Sequence, residues 1–124
     1  MDGEITPEEV ERLLDEGADV RVVDIRSPGA FARGHIPGSV NVPMPQLTGR
    51  VAELSGSERI VTVCPHGQAS VQAASLIKSF EGTADATVES MAGGITSWEG
   101  AIESGDGAVD AAEGASDDGP QSPF

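Results

Sequence analysis

The residues best placed to do chemistry surround the chain's single cysteine, in the run Cys64-Pro65-His66-Gly67-Gln68-Ala69-Ser70. Ahead of it, Val61-Thr62-Val63 reads as a buried β-branched strand, and beyond it Ser70 opens a segment with apolar residues at helical spacing. A thiol at that junction sits where backbone N–H groups converge at the positive end of a helix macrodipole, so its thiolate is favoured. Such a terminus contributes roughly 0.3–1 kcal/mol, and up to ~2 kcal/mol when partly buried. Gly67 permits a left-handed turn, which would aim the N–H groups of residues 66 to 70 inward as an anion-binding nest. Nucleophilic or group-carrying chemistry at sulfur is the reaction class this implies. His66, if cationic, would add to the effect, and Gln68 offers a neutral donor. A lone cysteine is more often a small buried hydrophobe. Pro65, Gly67 and the strand-to-helix position argue otherwise here, because ligands bind at such switch points in open parallel sheets.

Three further residues support this region. Val20-Arg21-Val22-Val23-Asp24-Ile25 is a strand ending in a carboxylate, and Arg26 follows it. Asp24 and Arg26 are read as bracing neighbouring loops through hydrogen bonds and an ion pair. His35, in Gly34-His35-Ile36-Pro37-Gly38, is read as stabilising a turn rather than as a proton shuttle. With two histidines and one cysteine, no metal site, internal disulfide or paired-cysteine redox centre is expected, and no cofactor is called for.

Composition narrows the function classes. The chain has 124 residues, enough for one domain with one modest core; apolar residues make up 38% and aromatics 3%, so that core must be aliphatic. Twenty-one acids against seven bases give a formal net charge of -14, and Lys78 is the only lysine. Nucleic acid and anionic membranes are disfavoured as partners. Abundant acids and scarce lysine suit a salt-rich cytoplasm, where the Debye length falls to about 3 Å at 1 M and self-repulsion is screened. An ordinary acidic protein with an acidic tail is the alternative. No apolar run approaches the ~20 residues that span a bilayer, and Met1-Asp2-Gly3-Glu4 lacks the pattern of a signal peptide, so a cytoplasmic location is expected.

The elements that must hold the cysteine alternate between helix and strand. Thr6, Pro7 and Glu9 form a helix start with a capping box, and the helix stops at Gly17. After the strand at 20–25, Ser27-Pro28-Gly29 reads as a break, Ala30 to Arg33 as one helical turn, and Ser39 to Val42 as an edge or minor strand. Gln46 to Leu54 reads as an amphipathic helix through Leu47, Val51 and Leu54. Arg59 to Val63 is the best central strand, Ser70 to Phe80 a well-packed helix, and Ala86 to Met91 the last strand. Gly93-Gly94 then turns into a short helix from Ile95 to Ile102, with Ile95, Trp98 and Ile102 on its packed side. Residues 1–103 are the expected domain. Residues 104–124, rich in Gly, Ser, Asp and Ala, are expected to be a disordered acidic tail, or a tail that binds a partner. The alternation implies an α/β fold with a parallel sheet covered by helices on both faces.

These pieces, taken together, resemble rhodanese-like sulfurtransferase domains of the single-domain type, from residue 4 to about residue 102. Asp24-Ile25-Arg26, Phe31 and Gly34-His35-Ile36-Pro37-Gly38-Ser39-Val40-Asn41 are similar to the family's DxR…F…GHIPGAxN. Cys64, Gly67, Ser70, Ala73-Ala74 and Leu76 are similar to its CxxGxRSxxAAxxL, and Gly93-Gly94-Ile95 with Trp98 to its GGIxxW. The resemblance implies a central parallel sheet of about five strands. It also implies transfer of a sulfane sulfur through a Cys64 persulfide, within a loop formed by Pro65, His66, Gly67, Gln68, Ala69 and Ser70. A small sulfur-containing anion such as thiosulfate, or a persulfide, would be the donor, and a nucleophile such as a protein thiol the acceptor. The six residues from Cys64 to Ala69 match sulfurtransferases rather than the related phosphatases, whose loop is longer. Two departures stand out. Ala69 replaces the family's loop arginine, removing a bidentate cation for an anionic donor, and Ala30 replaces an acid before Phe31. A catalytically silent binding module and a thiol-dependent reductase are the competing readings; the reductase would need a resolving thiol from a partner.

Overall fold

A computed structural model describes residues 1–105. Strands β1 (Glu4–Ile5), β2 (Val20–Asp24), β3 (Val40–Asn41), β4 (Arg59–Val63) and β5 (Thr87–Met91) alternate with helices α1 (Pro7–Asp15), α2 (Pro28–Arg33), α3 (Leu47–Arg50) and α4 (Ala69–Lys78). The strands form one sheet in the order β1-β5-β4-β2-β3, and every pairing is parallel. β4 is central, as its uninterrupted β-branched run requires: a strand covered on both faces has no outlet for polar side chains.

The two-residue period of β4 divides the core. Ile60 and Cys64 face a cluster with Val23, Leu47, Leu54, Ala73, Ala74, Ile77 and Val88. Val61 and Val63 face the other side, with Ile5, Val10, Leu13, Val22, Ile36 and Met91. α4 and α3 thus cover one face and α1 the other. Register sets Val63 beside Asp24 and Thr62 beside Ser90, so the ends of β2, β4 and β5 reach one edge of the sheet together. In open parallel sheets that carboxyl edge is where ligands bind.

Several sequence expectations need correction. β1 was not foreseen: two residues carry no period, and the strand exists because β5 offers it an edge. Only half the expected capping box forms. Thr6 Oγ1 accepts from Glu9 N at 3.2 Å, while the Glu9 carboxylate turns to Arg12. Ser27-Pro28 starts α2 rather than breaking the chain, because Ser27 Oγ caps the Ala30 N–H and proline suits the first helical position. Gln46 to Leu54 keeps its buried face, Leu47, Val51 and Leu54, but splits into α3 flanked by 3-10 turns at Met44–Gln46 and Val51–Leu54. Gly49 weakens its interior. The helix expected from Ile95 to Ile102 is a single 3-10 turn, Ile95–Ser97, and Ile102 is exposed rather than packed. Trp98 is extended, at φ -78° and ψ 126°, which ends the turn.

At the other end of the chain, Glu103 and His35 exchange backbone hydrogen bonds of 2.8 and 2.9 Å, and Gly105 N donates to Ala32 O at 2.7 Å. The acidic tail expected from residue 104 lies, from residue 106 on, outside the described residues.

Candidate active site

β4 delivers Cys64 to the carboxyl edge of the sheet with its sulfur buried, 1% of the residue being exposed. Gly67, at φ +87°, bends the chain back so that its N–H donates to Cys64 Sγ at 3.0 Å. α4 begins two residues later, and Gln68 at its N-cap makes no side-chain capping bond. The sulfur occupies the place a capping oxygen would take. Ser70 Oγ lies 3.2 Å from Sγ and 2.6 Å from Ser90 Oγ, and all three residues are buried. Thr62 Oγ1 donates to Ser70 O at 2.7 Å, fixing the first turn of α4 against β4. In the thiol form sulfur donates to Ser70. In the thiolate form the Ser70 proton turns to sulfur, and Ser90 can donate to Ser70 in turn.

Burial pushes the Cys64 thiol up. The Ser70 hydroxyl and the backbone N–H groups of Ser70, Gly67 and His66 outweigh that effect, so the net pKa falls below the ordinary thiol value. Neutral donors alone therefore favour a nucleophilic sulfur. Losing a hydrogen bond to a charged group typically costs about 1.5–3 kcal/mol, so Ser70→Ala is expected to slow thiolate chemistry at neutral pH roughly tenfold to hundredfold. Iodoacetamide alkylation measured against pH checks this: the wild-type profile begins at lower pH than that of Ser70→Ala. A depressed native pKa adds stability that is present above the unfolded thiol's pKa and lost as pH falls through the native one. The stability gap between wild type and Ser70→Ala should therefore widen on the alkaline side.

A second element clasps the loop from outside. Ile95 N donates to Cys64 O at 2.8 Å and Thr96 N to Pro65 O at 3.2 Å. The approach is possible because Gly93 and Gly94, at φ +76° and +66°, have no side chains. A Cβ on Gly94 would run into Cys64 O and lie 2.6 Å from His66 N, and one on Gly67 would lie 2.7 Å from Gly93 N. Gly94→Ala is expected to cost about 1–3 kcal/mol in backbone strain and to displace the loop. Urea unfolding together with alkylation rate would show both effects; an unchanged alkylation rate would mean the clasp does not shape the sulfur's surroundings.

Of the remaining loop residues, Pro65, His66, Gln68 and Ala69 are exposed and form the rim above the sulfur. No arginine or lysine occurs between Arg59 and Lys78, so the loop carries no cationic side chain other than what His66 supplies when protonated. Asp24 and Arg26 are brought to the adjacent strand end. Arg26 Nε lies 2.9 Å from Asp24 Oδ1 and Nη2 2.7 Å from Oδ2, while Nη2 also donates to Gly34 O at 2.7 Å. Asn41 Nδ2 bonds Asp24 O and Arg26 O, each at 3.0 Å. These bonds tie the β2–α2 and α2–β3 loops together and leave the sulfur to β4 and α4. His35 is buried, stacked on Phe31 with centroids 3.7 Å apart, and its Nδ1 lies 2.7 Å from Phe31 O. Its Nε2 is 3.4 Å from a Glu103 carboxylate oxygen, so its polar partners belong to α2 and the C-terminal segment.

The family model for the rhodanese-like domain matches residues 6–101. The chain belongs to the rhodanese-like domain family. Among curated relatives, the thiosulfate sulfurtransferase GlpE of Pseudoalteromonas translucida is 40% identical over 87 residues, covering 70% of this chain and 79% of its own. GlpE of Pseudomonas aeruginosa is 38% identical over 94 residues, covering 76% and 81%. Among solved structures, a rhodanese-like domain protein from Staphylococcus aureus superposes with a TM-score of 0.69 at 23% identity, over 82% of this chain and 97% of that one. The five-stranded parallel sheet and its helices are thus the family's fold.

Ser90 and Thr62 were missed in the sequence. The signal for them is a polar residue at the inward phase of an otherwise apolar strand: Thr62 lies between Ile60 and Cys64, and Ser90 follows Val88 on the same face. Only the register of this rhodanese-like domain shows that Ser90 meets Ser70.

Proposed function

We propose that this rhodanese-like domain is a sulfurtransferase that carries sulfane sulfur as a persulfide on Cys64. The observation that carries this reading is the donor set around Sγ: the N–H of Gly67 and the hydroxyl of Ser70, aimed at one buried sulfur at a strand end. The thiolate attacks the sulfane sulfur of the donor, and a Cys64 S–S bond forms as the donor's S–S bond breaks. Sulfite leaves if the donor is thiosulfate; a thiolate leaves if it is a persulfide. A nucleophilic acceptor, such as a protein thiolate, then attacks the outer sulfur, and Cys64 leaves as thiolate. The two steps balance without an external oxidant or reductant. Pro65, His66, Gln68 and Ala69 form the rim that the donor meets, and Asp24, Arg26 and His35 hold the surrounding loops.

Ala69 bears on donor choice. Thiosulfate is a dianion approaching a chain of net charge -14 through a loop without arginine, so a persulfide is the better donor. The site depends on a reduced thiol, which suits the cytoplasm, and screening by concentrated salt would ease the approach of an anion. No helix among the described residues is long and apolar enough to cross a membrane.

A donor panel read by intact mass tests the reading, on wild type and Ala69→Arg, at low and high salt. One added sulfur on Cys64, removable by cyanide, is expected from a persulfide donor with both proteins. A charge-assisted hydrogen bond of about 1.5–3 kcal/mol implies that arginine lowers the thiosulfate concentration needed by roughly tenfold to hundredfold. No adduct from any donor at either salt concentration would rule the function out.

A further inference from the structure

We infer that a groove between α1 and the C-terminal segment, lined by no residue of the cysteine loop, takes an arginine or lysine side chain of a partner protein. The groove has a volume of about 340 Å³ and is lined by Glu11, Leu14, Asp15, Pro37, Trp98 and Ala101. That is at the small end of ligand pockets, roughly 300–1,000 Å³, and suits one long side chain rather than a docked helix. Its floor is apolar and firm. Trp98 Nε1 donates to Ala101 O at 2.9 Å, and Gly100 lets the backbone close on the indole, since a Cβ there would lie 2.6 Å from Trp98 Cζ2.

The charges identify the occupant. Glu11 and Asp15 are one helical turn apart on α1, where like charges repel. Arg12, between them in sequence, is engaged instead by Glu9 and Glu16. Neither Glu11 nor Asp15 has a cationic partner among the described residues. An incoming guanidinium or ammonium would relieve that repulsion while its alkyl stem lies along Leu14 and the Trp98 ring, a pairing of cation with indole that is favourable in itself. The chain's own residues 106–124 are unsuited to the groove, because they contain five acids and no lysine or arginine. A second copy, also at net charge -14, is repelled in the same way.

Trp98 is the only tryptophan, so its fluorescence reports directly on the groove. The probe is a blocked pentapeptide with one central arginine, compared with the same peptide carrying neutral citrulline, in low-salt buffer. A saturable fluorescence change with the arginine peptide is expected, weakened roughly tenfold by citrulline and by the double variant Glu11→Gln, Asp15→Asn. The control Glu81→Gln, Asp85→Asn removes the same charge from an exposed turn elsewhere and should leave affinity within about twofold. Equal binding of the citrulline peptide, equal weakening by both double variants, or no saturable change would each overturn the inference. Cys64 chemistry is unaffected by any of these outcomes, so the proposed function stands or falls separately.

Discussion

Cys64→Ser is expected to abolish persulfide formation while leaving the fold intact. A serine oxygen occupies nearly the same place and can still accept the Gly67 N–H and meet Ser70 Oγ, so the unfolding transition should stay close to that of wild type. The chemistry does not survive the exchange. The hydroxyl is not ionised at neutral pH and cannot hold a sulfane sulfur through a readily reversible bond. The rate of sulfur transfer should fall by on the order of 10³-fold or more, as when the nucleophile of another covalent enzyme is removed. Cyanolysis of donor-treated protein measures it. A variant that keeps about a tenth of the wild-type rate would place the transferred sulfur somewhere other than this loop.

The second large effect concerns stability. Asp24 is 1% exposed, and its Arg26 partner is 10% exposed at the side chain. Asp24→Ala would leave the guanidinium buried with Gly34 O as its remaining acceptor, and breaking such a pair from one side costs about 3–5 kcal/mol. Urea unfolding followed by Trp98 fluorescence would show the midpoint fall. The double variant Asp24→Ala, Arg26→Met should recover part of the loss, because removing both charges leaves neither unpaired. A single variant as stable as wild type would mean the pair does not hold the loops. Its effect on alkylation of Cys64 should be smaller than that of Ser70→Ala, since the pair makes no side-chain bond to the cysteine loop.

Much of this architecture was legible because the chemistry of each element is local. Thr6 and Pro7 announce α1, the β-branched run before Cys64 announces the central strand, and Gly67 announces the turn that aims an N–H at sulfur. What was hidden depends on distant partners. β1 gains its structure from β5, some eighty residues away. Ser90 acquires meaning only when register sets β5 beside β4 and α4 packs over their shared face. The stretch after Gly94 has the apolar spacing of a helix, yet Trp98 is extended and its indole bonds back to Ala101 O, so the chain leaves the helical path after one turn. Sequence reasoning placed the sulfur and its loop, whereas the hydroxyl pair beneath it required the fold.

The clasp by Gly93, Gly94, Ile95 and Thr96 also separates, along the chain, the groups that favour the thiolate from those that hold its loop. During synthesis, β4, the cysteine loop and α4 emerge together, but the segment that grips Cys64 O and Pro65 O follows about thirty residues later, together with the Ser90 that backs Ser70. Until then the Gly67 N–H and the Ser70 hydroxyl that favour the thiolate lack this outer support, on a chain whose central strand still has an open edge. Contacts between distant parts of the sequence form late and slowly. The donors that favour the thiolate therefore come with the strand that delivers it, whereas the bonds that hold their loop in place come from the segment that follows β5.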